Sequence, residues 1–162
     1  METNAIIRGD CLKSLSRLHG DSVDLIYLDP PFNTNRDWGQ FDDRWEGKEH
    51  TRLEGDLGEQ VRLIARTQSQ GQAAYIGHMA ARLVQLKKVL KSSGSIYLHC
   101  DNTASHYLKA VMDIIFGASA YEEHITWKRT GAHNDSLFAD ISDTILWYGG
   151  GGQKIMSMTA LR

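Results

Sequence analysis

Six nearly continuous apolar residues followed by a pair of prolines constrain this chain more than any other feature. Val23 to Leu28 reads VDLIYL and is closed by Asp29-Pro30-Pro31. A run this short, bounded by turn formers, predicts a strand buried on both faces of a parallel sheet. The stop is covalent in origin. Proline has no N–H to give to a strand ladder, fixes its own φ, and holds the residue before it extended. These are the only two prolines in 162 residues. The turn therefore sets a carboxylate, a rigid backbone and the aromatic ring of Phe32 side by side at a strand's carboxyl end.

Around this strand the hydrophobic pattern alternates. Ala5-Ile6-Ile7 predicts a short strand closed by Gly9-Asp10, and Leu12, Leu15 and Leu18 recur at helical spacing before Gly20. Residues 33–72 are polar and charged, with Trp38, Phe41 and Trp45 among them, and predict a long functional loop with a helix near Leu57–Thr67. Ile76, Met79, Leu83, Leu86 and Leu90 repeat at 3-4-3-4 spacing, an amphipathic helix over 73–91 stopped by Ser92-Ser93-Gly94. Ser95–His99 is the next strand. Thr103 is positioned to cap a helix that buries Ala104, Tyr107, Leu108, Val111, Met112 and Ile115 and ends at Gly117. Glu123–Lys128 and Asp143–Tyr148 follow as two strands with no helix between them, so they pair antiparallel. This alternation implies a three-layer α/β sheet with right-handed crossovers. In such sheets ligands sit outside the carboxyl ends of the strands. Asp10, Asp29 and Asp101 each follow a predicted strand and mark that rim, although Asp is also an ordinary residue of βα loops.

Composition excludes several alternatives. No apolar run approaches the length of about 18 residues needed to span a bilayer, and the N-terminus has no basic region leading into an apolar stretch. Two cysteines, Cys11 and Cys100, make neither a disulfide framework nor a Cys-based zinc site, and they suit a reducing, cytoplasmic setting. His99-Cys100-Asp101 with His106 mixes hard and soft ligands at a spacing that matches no standard zinc pattern, so no metal is expected. The net charge is −2, but it is uneven: residues 42–60 hold seven acids against three bases, and residues 61–100 hold six bases and no acid. The basic stretch either follows a phosphate backbone or forms a solvated helix face. Lys128-Arg129 either contacts phosphate or is simply exposed. Trp127, like Trp38, Phe41 and Trp45, either touches a base or packs locally.

Residues 29–32, DPPF, match the signature [DNS]-P-P-[YFW] that follows a hydrophobic strand in the amino-methylating DNA methyltransferases. DSVDLIYLDPPFNTNRDW (21–38), GSIYLHCDNTASHYLK (94–109) and EEHITWKRTGAHND (122–135) resemble that family as well. The resemblance implies an incomplete Rossmann-like methyltransferase sheet, mostly parallel with an antiparallel strand near the C-terminus. It implies methyl transfer from S-adenosyl-L-methionine to the exocyclic amine of an adenine flipped out of double-stranded DNA. Asp at the first motif position leans to adenine; the alternatives are cytosine-N4, an RNA or protein amino group, or an inactive DNA-binding fragment. By the same resemblance, the Asp29 side chain and Pro30 carbonyl accept the amine's hydrogens, Pro31 stiffens the turn, and Phe32 stacks on the base. Asn33, His99, Asp101 and Trp127 line the cleft. Asp10 accepts from the cofactor's adenine, or else simply caps its helix, and Asp29 also faces the cofactor.

The chemistry accounts for these residue types. The lone pair of an aromatic amine is delocalised into its ring, so the nitrogen is a poor nucleophile. Two acceptors holding both hydrogens draw it toward a tetrahedral shape, and a carboxylate stabilises the positive charge that builds as the methyl arrives. No covalent enzyme intermediate is needed, so neither cysteine is expected to be a nucleophile. The family's cofactor loop, F-x-G-x-G after a strand, does not occur in this sequence; Gly149–Gly152 is not such a loop. The resemblance is to the permuted order, catalytic half first. It leads us to expect residues 1–148 as the catalytic part, residues 149–162 as a link, and a C-terminal segment for target recognition and cofactor binding as a partner. A restriction subunit and a second copy of the chain remain open as further partners.

Overall fold

The apolar run at 23–28 does form the strand predicted for it, and the rest of the sheet is built beside it. The computed structural model describes residues 4–31, 53–129 and 141–149. In chain order these give α1 (Cys11–Leu15), β1 (Val23–Leu28), α2 (Gly55–Thr67), α3 (Gln70–Val89), β2 (Leu90–Cys100), α4 (Ser105–Phe116), a 3-10 turn (Ala118–Ala120), β3 (Tyr121–Lys128) and β4 (Ser142–Gly149). The sheet order is β1-β2-β4-β3. β1 pairs parallel with β2, and β4 pairs antiparallel with both β2 and β3. Three strands therefore run one way and β4 runs back between two of them, the incomplete α/β sheet the sequence implied.

One face of this sheet makes the core. Ile26, Ile96 and Tyr148 lie in register across β1, β2 and β4, as do Leu98 and Leu146. They pack with Val61 of α2, Tyr75, Ile76, Met79 and Leu83 of α3, and Leu108, Val111 and Met112 of α4. The α3 stripe is the predicted one. Its helix starts where Ser69 accepts from the Gln72 amide, since a serine oxygen can satisfy one of the helix's unpaired first donors. Gly117 ends α4 at φ +94°, a backbone state that favours glycine.

Four expectations are corrected. Ala5–Ile7 forms no strand, and Ile6 is fully exposed; three apolar residues gain little from extension unless a neighbouring strand completes their hydrogen bonds. β1 is not buried on both faces. Ile26 is covered, but Leu25 and Tyr27 are exposed, because β1 lies at the sheet edge and the helix layer covers the other face. The amphipathic helix ends at Val89, and β2 starts at once with Leu90, so Ser92-Ser93-Gly94 is not a linker after the helix but an irregular start to a strand. Thr103 does not cap α4. Its hydroxyl donates to Asp101 Oδ2, and Asp101 Oδ1 accepts from the Ala104 amide. Phe32, Asn33, Trp38, Phe41, Trp45 and the expected link beyond Gly149 lie outside the described residues.

Gly94 sits where β1 and β2 approach closely, beside the irregularity in their pairing between Val23 and Leu25. A Cβ placed there would come within 2.7 Å of Leu90 Cδ1 and 3.0 Å of the Asp24 carbonyl oxygen. The first contact can yield by rotamer change; the second is backbone. We expect Gly94→Ala to destabilise the fold by about 1–3 kcal/mol, the usual cost of overpacking. Denaturant unfolding of the two proteins checks this, and an unchanged midpoint would contradict it.

Candidate functional site

The polar residues of interest gather at one edge of the sheet for a topological reason. The carboxyl ends of β1, β2 and β3 lie on that edge, and because β4 runs backwards, its amino end lies there too. Asp29 is one residue beyond β1. His99 is the penultimate residue of β2, and Asp143 the second residue of β4. Trp127 and Lys128 close β3, with Trp127 opposite Asp143.

At this edge Asp29 is exposed, with 65% of its side chain open to solvent. Its Oδ1 lies 3.0 Å from His99 Nδ1. His99 is largely covered, and its Nε2 lies 3.4 Å from Asp143 Oδ2, which belongs to a buried carboxylate. Asp143 Oδ1 in turn lies 3.4 Å from Arg129 Nε. The result is a line of four charged or polar side chains, Arg129–Asp143–His99–Asp29, running from β3 across β4 and β2 to β1. Sequence reasoning singles out three of the four. It reads Asp143 only as the first residue of a strand, and burial beside a histidine forty-four positions earlier has no local signal.

The other candidates are placed as follows. Asp101 is buried, and both of its oxygens are engaged by the turn into α4. Asp10 is exposed and caps α1, accepting from the amides of Leu12 at 2.8 Å and Lys13 at 3.2 Å. Those amides, the Lys13 bond foremost, hold its carboxyl below the usual carboxylate range. Trp127 is exposed on the sheet face that carries no helix among the described residues. Tyr97 and Trp147 stack on that same face with centroids 5.5 Å apart. Burial, and then the charge of Asp29, raises the Tyr27 phenol.

Four of the six bases at 61–100 are engaged within the chain. Arg62 donates to the Leu53 carbonyl, Arg82 to the His78 carbonyl, Lys87 to the Ile115 carbonyl, and Lys91 pairs with Asp24. They sit on three different elements. Lys128 is exposed at the rim, while Arg129 is already joined to Asp143.

Side-chain alternation also separates His99 from Cys100. Successive strand residues point to opposite faces, so His99 faces the rim network while Cys100 lies in the core. Burial, then the charges of Asp101 and Asp143, push the Cys100 thiol up to about 12. A thiol held protonated and out of solvent is inert. Titration of the native chain with a thiol-specific disulfide reagent at pH 8 should release one equivalent promptly, from exposed Cys11, and a second only on unfolding. Two prompt equivalents would contradict the placement of Cys100.

Residues 23–161 match the DNA methylase family of N6/N4 type. The Mod subunit of the type III restriction–modification enzyme StyLTI from Salmonella typhimurium is 34% identical over 158 residues, covering 94% of this chain and 24% of that protein. The EcoP15I Mod subunit of Escherichia coli is 28% identical, over 94% of this chain and 25% of its own length. The type II methyltransferase M.EcaI of Enterobacter cloacae is 30% identical, over 94% and 30%. The chain thus spans about a quarter to a third of the curated relatives it matches. Among solved structures, the PvuII DNA methyltransferase (cytosine-N4-specific) aligns with a TM-score of 0.53 at 13% identity, over 88% of this chain and 47% of that one. TTHA0409 of Thermus thermophilus, complexed with S-adenosyl-L-methionine, aligns at 0.52 and 14%, over 93% and 57%. At such identities the structural likeness is one of fold. Among the described residues no helix is long and apolar enough to cross a membrane. With a family match that takes in all but the first twenty-two residues and the last one, this chain belongs to the N6/N4-type DNA methylases.

Proposed function

We propose that this chain supplies the catalytic rim of an enzyme that methylates the exocyclic amine of an adenine turned out of double-stranded DNA, with S-adenosyl-L-methionine as donor. The observation that carries this reading is an exposed carboxylate, Asp29, delivered by a Pro-Pro turn to the carboxyl edge of the sheet in a chain of the DNA methylase family. Asp at the head of the motif favours adenine over cytosine.

The residues at hand fit the cofactor in kind. Asp10 commits Oδ1 to two helix amides, and among the described residues Oδ2 makes no hydrogen bond, so it is available to accept from an adenine amino group. Asp29 offers negative charge at the rim, suited to a sulfonium. When bound, the cofactor supplies an electrophilic methyl group. No F-x-G-x-G string lies within the 162 residues, so we assign the remaining contacts to a further segment, which also reads the DNA sequence. The curated relatives named as Mod subunits suggest a restriction subunit as partner.

In this reading Asp29 and the Pro30 carbonyl accept the two hydrogens of the target amine and orient its lone pair. Asp29 then faces the positive charge that forms on nitrogen, and the proton leaves toward this carboxylate and the open solvent beside it. Pro31 keeps the turn rigid, so the acceptors are aimed before the base arrives. Turning the base out costs a few kcal/mol. Stacking on Phe32, with Trp127 as a second aromatic at the rim, returns about 1–3 kcal/mol per ring. Asn33 and Lys128 complete the reading as a cleft contact and a phosphate contact. His99 acts on Asp29, and Asp101 shapes the rim from beneath by holding the turn into α4.

Two measurements test this reading. With the cofactor-binding segment supplied, labelled-methyl transfer to DNA should fall about 10²–10³-fold in Asp29→Ala, the scale for losing one aimed electrostatic group, and hydrolysed product should contain N6-methyladenine. N4-methylcytosine would overturn the base assignment, and transfer to RNA alone would overturn the substrate class. The 162-residue chain by itself should bind the cofactor weakly and turn over little; calorimetry showing tight binding would contradict the assignment of the remaining contacts to another segment.

A further inference from the structure

A carboxylate as open to solvent as that of Asp29 turns freely unless something holds it. Among the described residues, its carboxylate makes one hydrogen bond, to His99 Nδ1 at 3.0 Å. The holder is itself held. The His99 ring is 15% exposed, and on its far side Nε2 meets Oδ2 of Asp143, a side chain only 3% exposed. A carboxylate oxygen at 3.0 Å calls for a donor at Nδ1, and the contact of Nε2 with Asp143 is looser, at 3.4 Å. Asp143 cannot swing away, because it is enclosed and its other oxygen faces Arg129. Strand register sets the spacing: Leu28 lies opposite Leu98, so the residues that follow, Asp29 and His99, emerge side by side.

We propose that His99 is a positioning residue for methyl transfer. It fixes Oδ1 of Asp29 so that Oδ2 is presented to the target amine, and buried Asp143 fixes the ring. This rests on the role of Asp29 argued under Proposed function. It assigns different tasks to the two oxygens of one carboxylate: one is bound to the protein, the other meets the substrate. His99 touches neither base nor cofactor in this arrangement.

The test has two arms. In the methylating enzyme that carries this chain, His99→Leu removes the donor. His99→Asn keeps one, because the asparagine amide nitrogen stands near the place of Nδ1. His99→Leu should lower kcat about 10–100-fold, the scale for misplacing a reacting group by an ångström or less. KM for DNA should stay near that of the wild type and His99→Asn should recover most of the rate; the melting temperature should fall in His99→Leu, which strips buried Asp143 of one partner, so rates are compared well below it. Asp143→Asn should lower kcat in the same direction and be non-additive with His99→Leu. The second arm uses the 162-residue chain without substrate. The ring-nitrogen NMR signals of His99 should show Nδ1 carrying a proton, and Asp29→Ala should shift that signal.

A kcat within twofold of wild type in His99→Leu overturns the proposal. So does a change confined to KM, an asparagine variant no better than leucine, or an unprotonated Nδ1. If His99→Leu does not fold, the asparagine variant and the NMR arm still decide. If the wild-type enzyme transfers no methyl group to DNA, the reading of the function fails instead, and the NMR arm reports separately on the link between His99 and Asp29.

Discussion

The parallel register of β1 on β2 is the constraint on which the rest of the molecule depends. Ile26 opposite Ile96 within the core, and half-buried Leu28 opposite Leu98 at its margin, fix it. Each fully buried aliphatic side chain contributes about 1.5–3 kcal/mol, whereas an ion pair open to water contributes about 0–1 kcal/mol. The contact of Asp29 with His99 is of the open kind on its Asp29 side. It therefore does not hold the strands in place; the apolar pairs do, and the polar pair follows from them. A slip of one residue would turn His99 into the core and Cys100 onto the rim. The core thus rejects the register in which the site would be lost.

The two faces of the sheet follow different rules. On one, Ile96, Leu98, Leu146 and Tyr148 meet the helices and are excluded from water. On the other, Leu25, Tyr27 and Trp127 are exposed beside the stacked pair of Tyr97 and Trp147. An apolar face of this extent is unusual for a surface meant to remain in water. It is the face on which a three-layer sheet carries its second set of helices.

Legibility in the sequence followed the range of the interactions involved. VDLIYL and the 3-4-3-4 stripe of α3 were readable because strand and helix periodicities are local, and the antiparallel ending was readable because no crossover helix separates the last two strands. Asp29 was readable because two prolines mark its turn. The exposure of Leu25 and Tyr27 was not, since a continuous apolar run looks the same in a central strand and in an edge strand with one face uncovered. Ser92-Ser93-Gly94 misled because its composition is that of a loop, while a parallel partner imposes a strand on it. Asp143 was invisible because its meaning lies in residues far off in sequence. Asp101 was placed correctly just past a strand, but its carboxylate is spent within its own turn, a distinction that only side-chain direction makes.

The buried end of the network explains why Arg129 is less available to a phosphate than its exposure suggests. Removing a carboxylate such as that of Asp143 from water costs several kcal/mol unless partners compensate it. Two approach it from opposite sides, the His99 ring and the Arg129 guanidinium, each at 3.4 Å. Neither partner would suffice equally alone: the imidazole is also drawn to Asp29, and the arginine sits at the end of β3, where it reaches Asp143 only because the Arg129 amide is anchored to the Ile141 carbonyl at 2.8 Å. That anchor extends the β3–β4 pairing by one step past Lys128. The backbone ladder thus delivers the cation, the cation offsets the buried charge, and the buried charge holds the ring that faces Asp29. The rim is polar at its surface but is braced from inside, which is how an exposed carboxylate on an edge strand keeps a defined direction.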